Sequence, residues 1–494
     1  MSTRSVTAVE SVETDIPARL DRLPWSAFHT RVVVALGACW ILDGFEITIA
    51  GNIGEQLSEK GTFELSAAGI GLLASVYLIG QVVGALLFGQ LADRWGRRRL
   101  FFITLSVYML GSALTAAIPG FGTGSLVLLG VARFVAGMGI GGEYAAINSM
   151  IDELIPAVYR GRADVIVNGT YWAGAAVAGL VQLPLLSGAI DPRYDWRLAL
   201  LIGPVLALGV WFLRQNVPES PRWQLLHGEQ DAARRTVDDI EARTRAAGGT
   251  IIRSRGGDVV HLSPLAHTGY RALLGVLFRD YPDRAVLSAV LMITQSVLYN
   301  AVFFTYASVL VKVFEVDPDR AAIYIVPFAL GNLLGPILLG PLFDRVGRRK
   351  MLARTYGLAG ILLLGCAFVF RGGGFTALTQ TMAFSVVFFF ASAGASAAYL
   401  TISEVFPLEV RAKAIAAFFA LVQSIGAFAP YVFGSLIEPD PTDTSGLFGG
   451  YLVGAGLMIV GALVAQVLAV DAENKSLERV APPLSLVRPG RHRR

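Results

Sequence analysis

Apolar runs of about twenty residues or more alternate along this chain with short polar stretches, and a run of that length crosses the hydrocarbon core of a bilayer as a helix. Twelve such spans are predicted, near 30–50, 67–91, 99–118, 125–155, 163–189, 197–216, 283–314, 320–343, 351–371, 375–406, 413–437 and 446–470. The polar stretches between them repeat. GQLADRWGRRRL at 89–100 returns as GPLFDRVGRRKM at 340–351, which sets Asp93 and Asp344 251 residues apart. The same offset carries Glu153-Leu-Ile-Pro156 onto Glu404-Val-Phe-Pro407 and Arg162-Ala163 onto Lys413-Ala414. A register kept over some seventy residues is the mark of a duplicated unit. The predicted organisation is an N-terminal segment 1–28, a six-span half 29–216, a linker 217–282 with short helices, a second six-span half 283–470 and a tail 471–494.

Composition agrees with a polytopic membrane protein and argues against a soluble enzyme: of 494 residues 54% are hydrophobic and 16% charged, with a mean hydropathy of +0.58. The net charge of +4 does not point to nucleic acid, because the basic residues sit at the span ends. The connections after spans 2, 4, 8 and 10 hold Arg94, Arg97, Arg98, Arg99, Arg160, Arg162, Arg345, Arg348, Arg349, Lys350, Arg411 and Lys413, whereas those after spans 3 and 11 hold no Lys or Arg. That bias places the basic connections and both termini in the cytoplasm, with the chain in the cell membrane. Residues 1–24 carry Glu10, Glu13 and Asp15 and no apolar stretch, so no cleavable signal peptide is expected. Cys39 and Cys366 lie inside apolar runs of different halves and read as core residues. In the linker, Asp231 to Arg245 reads as an amphipathic, solvated helix, followed by a Gly-rich patch at 248–257. The tail ends in Arg488-Pro-Gly-Arg-His-Arg-Arg494 and is expected to be disordered and drawn to anionic lipid.

Four features in order carry a resemblance: the Asp-Arg-x-Gly-Arg-Arg hairpin in both halves, Arg133 with Gly137, Gly139, Gly141 and Gly142, Pro218-Glu-Ser-Pro-Arg222, and Asp471-Ala-Glu-Asn-Lys-Ser-Leu-Glu478. Together they resemble the sugar-porter-like branch of the major facilitator superfamily. The resemblance implies an all-α polytopic membrane protein with twelve transmembrane helices in two six-helix bundles, related by a pseudo-two-fold axis along the membrane normal and rocking about a midplane cavity. It also implies a cytoplasmic gate of ion pairs that closes in the outward-facing state, drawn from Asp93, Arg94, Arg97, Glu153, Arg162, Glu219, Arg222, Asp344, Arg345, Arg348, Glu404 and Arg411.

Duplication separates these charges from four others. Adding 251 to Asp43, Glu46, Arg133 and Glu143 lands on Thr294, Val297, Phe384 and Gly394, so the second half carries none of them. A charge at the bilayer centre costs on the order of 3 kcal/mol and is rare unless it faces a cavity or a partner. Asp43 and Glu46 lie three apart on one helix face, and Asp43 lies about twelve residues, roughly 18 Å, in from Arg31. Arg133 must find a carboxylate, and in sugar-porter-like proton symporters the acid matching Asp43 supplies it. A carboxylate that alternates between an arginine and a proton carries protons. Gly139-Ile-Gly-Gly-Glu-Tyr144 is similar to the GIGGEYP and GIGGDYP segments of bacterial metabolite:proton and fungal phosphate:proton symporters, with Ala145 in place of the proline. Phosphate itself is disfavoured, because the helix-7 aspartate of those proteins is missing.

Span 7 resembles the sugar-porter stretch QQLTGINAV at Gln295 and Asn300, whose amides bond ligand hydroxyls in that family. Further cavity candidates are Tyr144, Asn148, Asn168, Tyr171, Trp172, Tyr299, Tyr399 and Gln423. The glycine clusters fail as nucleotide motifs, because no strand precedes them, and neither a phosphate-binding loop nor metal-ligand spacing is present, so no cofactor and no metal is expected. The reading is a monomeric carrier, not an enzyme, whose partners are a small-molecule substrate, the proton and the lipid bilayer, with no nucleic acid. It takes up a small organic metabolite by proton symport. A proton-driven exporter of an organic cation or drug, a transporter-like sensor and an uncoupled uniporter stay open as alternatives.

Overall fold

The computed structural model describes residues 12–484 apart from 54, 55, 58–60, 66, 121, 186–189, 192, 216, 252–259, 263–268, 300, 301, 303, 317, 427 and 429–442. A short strand β1 (Val12–Thr14) and helix α1 (Ile16–Asp21) precede the first half. That half comprises α2 (Ala27–Asn52), α3 (Ala67–Trp95), α4 (Arg97–Ala116), α5 (Thr123–Leu154), α6 (Ala157–Gly169), α7 (Tyr171–Leu185) and α8 (Asp195–Arg214). The linker holds α9 (Pro221–Leu226), α10 (Gln230–Ala246), strand β2 (Val260–Leu262) and α11 (Tyr270–Gly275). In the second half follow α12 (Pro282–Leu298), α13 (Phe304–Lys312), α14 (Pro318–Arg345), α15 (Arg348–Arg371), α16 (Ala377–Val405), α17 (Arg411–Gly426) and α18 (Ser445–Leu468), and the tail adds α19 (Leu477–Val480).

Among the described residues, nine helices are long and apolar enough to cross a membrane. The predicted spans 5, 7 and 11 complete the twelve but are not single long helices among the described residues. Span 5 breaks at Thr170 into α6 and α7, where the Thr170 hydroxyl lies 2.6 Å from the Val167 carbonyl and 3.0 Å from that of Gly37 on α2. Span 7 is described as α12, ending at Leu298, and α13, with residues 300, 301 and 303 between them outside the described residues.

Duplication is visible in the packing. In the first half α3 and α4 both lie against α5, and in the second half α14 and α15 lie against α16 in the same way. Each basic hairpin turns on a glycine in the left-handed region, Gly96 (φ +89°) and Gly347 (φ +109°), which only a residue without a side chain adopts freely. Each following helix then starts on a carboxylate: Glu219 accepts from the backbone N–H groups of Arg97 and Arg98 (3.0 Å each), and Glu473 from that of Arg348 (3.3 Å). Helix α2 crosses α7 on two glycines, since a Cβ on Gly44 would fall inside the Tyr171 carbonyl and one on Gly174 inside that of Ile41. Between halves, α17 packs on α3, and α14 on α6 and α7.

The polar segments are more ordered than expected. Helix α10 is amphipathic as predicted, and its apolar face (Ala233, Val237, Ile240) covers Ile16 and Leu20 of α1. β1 pairs antiparallel with β2, Val12 opposite Leu262. The tail departs from expectation: over 471–484 it is folded against the basic end, with Leu477 and Val480 buried, because Glu473 and Glu478 find partners there. The run 488–494 lies outside the described residues, as does most of the Gly-rich patch. Cys39 is buried, Cys366 half-buried, and both are free thiols.

Candidate functional site

A cavity of about 400 Å³ opens between the two halves. Six aromatic side chains dominate its wall: Trp40, Tyr144 and Tyr399 form one group, with Trp40 and Tyr144 edge to face at 4.6 Å, and Tyr171, Trp172 and Tyr299 form the other, with Trp172 and Tyr299 at 5.5 Å. Amides supply the polarity. Gln295 and Asn168 line the cavity, and Gln423 of the second half donates to Gln81 of the first at 2.5 Å. Arg133 is the charged residue on the wall, its guanidinium 4.5 Å over the Tyr77 ring. Ile53, Leu57, Ile70 and Leu73 carry the cavity toward the end of the molecule opposite the basic hairpins.

Most of the expected substrate residues meet here: Tyr144, Asn168, Tyr171, Trp172, Gln295, Tyr299, Tyr399 and Gln423. Asn148 does not line the wall. It is fully buried, donates to the Tyr144 carbonyl (2.9 Å) and accepts from Asn168 (3.2 Å), so it braces a lining residue. Asn300 lies outside the described residues. Trp40, Tyr77, Gln81, Ser392 and Ser396 were not anticipated.

Behind the wall sit the acids, and their pairing corrects the expectation. Arg133 bonds Glu46, not Asp43: its Nη1 lies 3.0 Å from Glu46 Oε1, and the same carboxylate accepts from Tyr108 (3.0 Å) and Ser112 (2.9 Å) of α4. Glu46 is thereby satisfied. Asp43 of α2 and Glu143 of α5 instead face one another, 1% exposed each, and no donor from the described residues reaches any of their four oxygens. A further cation, Arg214 at the end of α8, acts on Glu143. It is fully buried, lies 4.0 Å over the Phe101 ring and donates to Met150 Sδ at 2.5 Å. The offset of 251 takes Arg214 to Ala465, so the test that singled out Arg133 finds it too.

The basic end is closed by ion pairs that repeat between halves. Arg97 bonds Asp93 (3.3 Å) and Glu153 (3.1 Å), and Arg348 bonds Asp344 (2.8 Å) and Glu404 (3.0 Å). Crossing contacts join the halves: Lys413 to Asp93, Arg160 to Glu404 (3.8 Å), and the N–H groups of Gly161 and Arg162 to Asp344 (3.1 and 2.8 Å). Arg222 holds Asp21 (3.4 Å) and Glu478 (2.9 Å) and donates to the Glu153 carbonyl (2.7 Å). Five expected gate residues act otherwise: Glu219 caps the start of α4 through the Arg97 and Arg98 N–H groups and joins no ion pair among the described residues. Arg94 and Arg345 are exposed and join no ion pair among the described residues, since they sit on the outer face of their hairpins. The Arg162 guanidinium lies over Tyr159 (4.5 Å), so its contribution to Asp344 is its backbone N–H. Arg411 is buried and donates to the Phe406 carbonyl (3.3 Å). Asp21, Arg160, Glu473 and Glu478 join the contacts at the basic end and were not anticipated there, because they lie in stretches whose local composition reads as solvated.

A family profile described as Sugar (and other) transporter matches residues 32–483. Among curated relatives, the chain is similar to the niacin transporter NiaP of Acinetobacter baylyi, 27% identical over 94% of this chain and 99% of the relative, and to the glucose transporter GlcP of Staphylococcus epidermidis, 25% identical over 83% and 87%. Among solved structures it is similar to the proton:xylose symporter XylE bound to 6-bromo-6-deoxy-D-glucose, with a TM-score of 0.75 at 19% identity over 92% of this chain and 98% of that one. The inward open XylE of Escherichia coli superposes with a TM-score of 0.62 at 20% identity, covering 92% and 99%.

Proposed function

The chain belongs to the sugar (and other) transporter family, and from that premise we propose that it takes up a small organic metabolite by proton symport, its halves (29–216 and 283–470) rocking about the cavity. The basic end and both termini face the cytoplasm, following the Lys/Arg bias. On that placing the structure is outward-facing: Lys413–Asp93 and Arg160–Glu404 hold the inner end shut while the cavity runs outward past Ile53 and Leu57.

The observation that carries the proton coupling is the Asp43–Glu143 pair. Two carboxylates side by side, dry and without a donor, cannot both be charged, so the pair holds a proton in this state. Inward opening wets the pair and releases the proton, and Arg214 is the cation placed to receive the ionised Glu143. Glu46 has the other role, neutralising Arg133 at the wall. For the solute, two aromatic groups with amides between them favour a flat ring with a polar substituent. Niacin, named for the relative from Acinetobacter baylyi, is such a molecule.

The test is Asp43→Asn in proteoliposomes with labelled niacin and an imposed pH gradient. Acid outside is expected to drive accumulation in the parent protein. The variant is expected to lose uphill accumulation and keep counterflow; accumulation at the parent level would sink the assignment. If niacin is not carried, thermal shifts across sugars, polyols, aromatic acids and organic cations near pH 6 and pH 8 identify the solute and its proton linkage together.

A further inference from the structure

Two more carboxylates lie between the cavity and the closed inner end. Asp152 precedes Glu153 on α5, and Asp164 sits on α6 one turn from the cavity residue Asn168. Both are 0% exposed, and none of their four oxygens accepts a hydrogen bond from the described residues. The nearby donors are spent elsewhere. The Ser403 hydroxyl donates to the Leu400 carbonyl (2.8 Å), and the Asn168 amide bonds Asn148 Oδ1 (3.2 Å) and the Asp164 main-chain carbonyl (2.9 Å).

The charges around the pair do not balance. Asp152 faces Arg160, Glu404 and Arg411, and Asp164 faces Asp152, Glu404 and Arg348. Arg348 is engaged by Asp344 and Glu404, and Arg160 by Asp21 and Glu404. Arg411 remains, with Nε and Nη1 unpartnered and its Nη2 on a carbonyl. Asp21, Asp93, Glu153, Asp344, Glu404 and Glu478 each lie in an ion pair; among the described residues Asp152 and Asp164 do not. One open guanidinium against two dry carboxylates leaves a net negative charge, which a low-dielectric interior does not tolerate. The offset of 251 carries Asp152 to Ser403 and Asp164 to Ile415, so this pair is no part of the duplicated gate.

We propose that Asp152 and Asp164 form a second proton-binding site, inside the gate, that holds one proton between them while the inner end is shut and yields it to the cytoplasm when the end opens. The balance is one proton bound by a carboxylate on closure and returned to water on opening, with no other bond changed. The direction of release rests on the proposed orientation; the site itself does not depend on the Asp43–Glu143 reading.

The test is infrared spectroscopy of the full chain in proteoliposomes at neutral pH, following the C=O stretch of protonated carboxyl groups. In the Asp43→Asn/Glu143→Gln protein a protonated-carboxyl band is expected to remain, and adding Asp164→Asn is expected to remove it. No residual band, or a residual band that survives Asp152→Asn and Asp164→Asn together, overturns the second site. Should the multiple variants fail to insert, Asp164→Asn alone must weaken the band of the parent protein, and equal intensity overturns the proposal. The central pair is read separately: if the parent and the Asp43→Asn/Glu143→Gln protein give equal bands, that reading fails while this one stands or falls on Asp164→Asn.

Discussion

The two acids of α2 illustrate what a sequence can and cannot tell about one residue. Asp43 and Glu46 are three apart and share a face, so spacing alone leaves both open to Arg133. The choice is made by α4, whose Tyr108 and Ser112 surround Glu46 and leave Asp43 to Glu143. No local pattern carries that information. On the proposed function, the arrangement separates stability from coupling. Glu46→Gln leaves the Arg133 guanidinium buried without a counter-charge and is expected to cost about 3–5 kcal/mol. Asp43→Asn replaces one member of an unpartnered pair by a neutral isostere and is expected to cost little or nothing. Thermal melts of the two variants in one detergent compare them directly, and a lower midpoint for Asp43→Asn than for Glu46→Gln would contradict the pairing.

At the scale of elements, the spans were legible because length and apolarity suffice to place a helix in a bilayer, and the 251-residue offset assigned them to two halves. The interruption at Thr170 was not, since it depends on a carbonyl from α2. The crossing of α2 and α7 is similarly tertiary. Helix contact at Gly44 and Gly174 leaves no room for a methyl group against a neighbouring carbonyl. Gly174→Ala is expected to force the helices apart and destabilise the protein by about 1–3 kcal/mol, read as a lowered melting midpoint. Gly179, with open space around its Cα, provides the control: Gly179→Ala should leave that midpoint unchanged.

At the scale of the whole molecule, contacts at the basic end tie one half to the other. Asp93 of the first half takes Lys413 of the second, and Asp344 of the second takes backbone N–H groups of the first. Lys413→Ala is expected to shift the population toward opening there. Spin labels in place of the exposed Arg94 and Arg345 report it as a longer inter-label distance, and an unchanged distribution would show that Lys413 does not hold the gate. The docking of the tail follows pH. Burial pushes the Glu478 carboxyl up, but the charge and hydrogen bond of Arg222 outweigh it, and it sits below its ordinary value of 4.5. A depressed carboxyl stabilises the folded form above its ordinary value and loses that contribution as pH falls through the depressed one. The protection of the Leu477 and Val480 amides, measured against their intrinsic exchange rate at each pH, is therefore expected to fall as pH drops below 4.5 and to be high above it. The order of the tail and of the N-terminal segment escaped the sequence reading because both are locally polar, and the buried arginines and apolar surfaces that hold them come from distant parts of the chain.

Glu473 and Glu478 stand five positions apart yet are fastened to different bodies, the former to the start of α15 in the second bundle, the latter to Arg222 beside the first. If the bundles swing apart at this end, so short a strand cannot keep both grips. Each turnover must then peel the C-terminal segment from one bundle and lay it back, so a fusion partner inserted between Glu473 and Glu478 would jam the hinge.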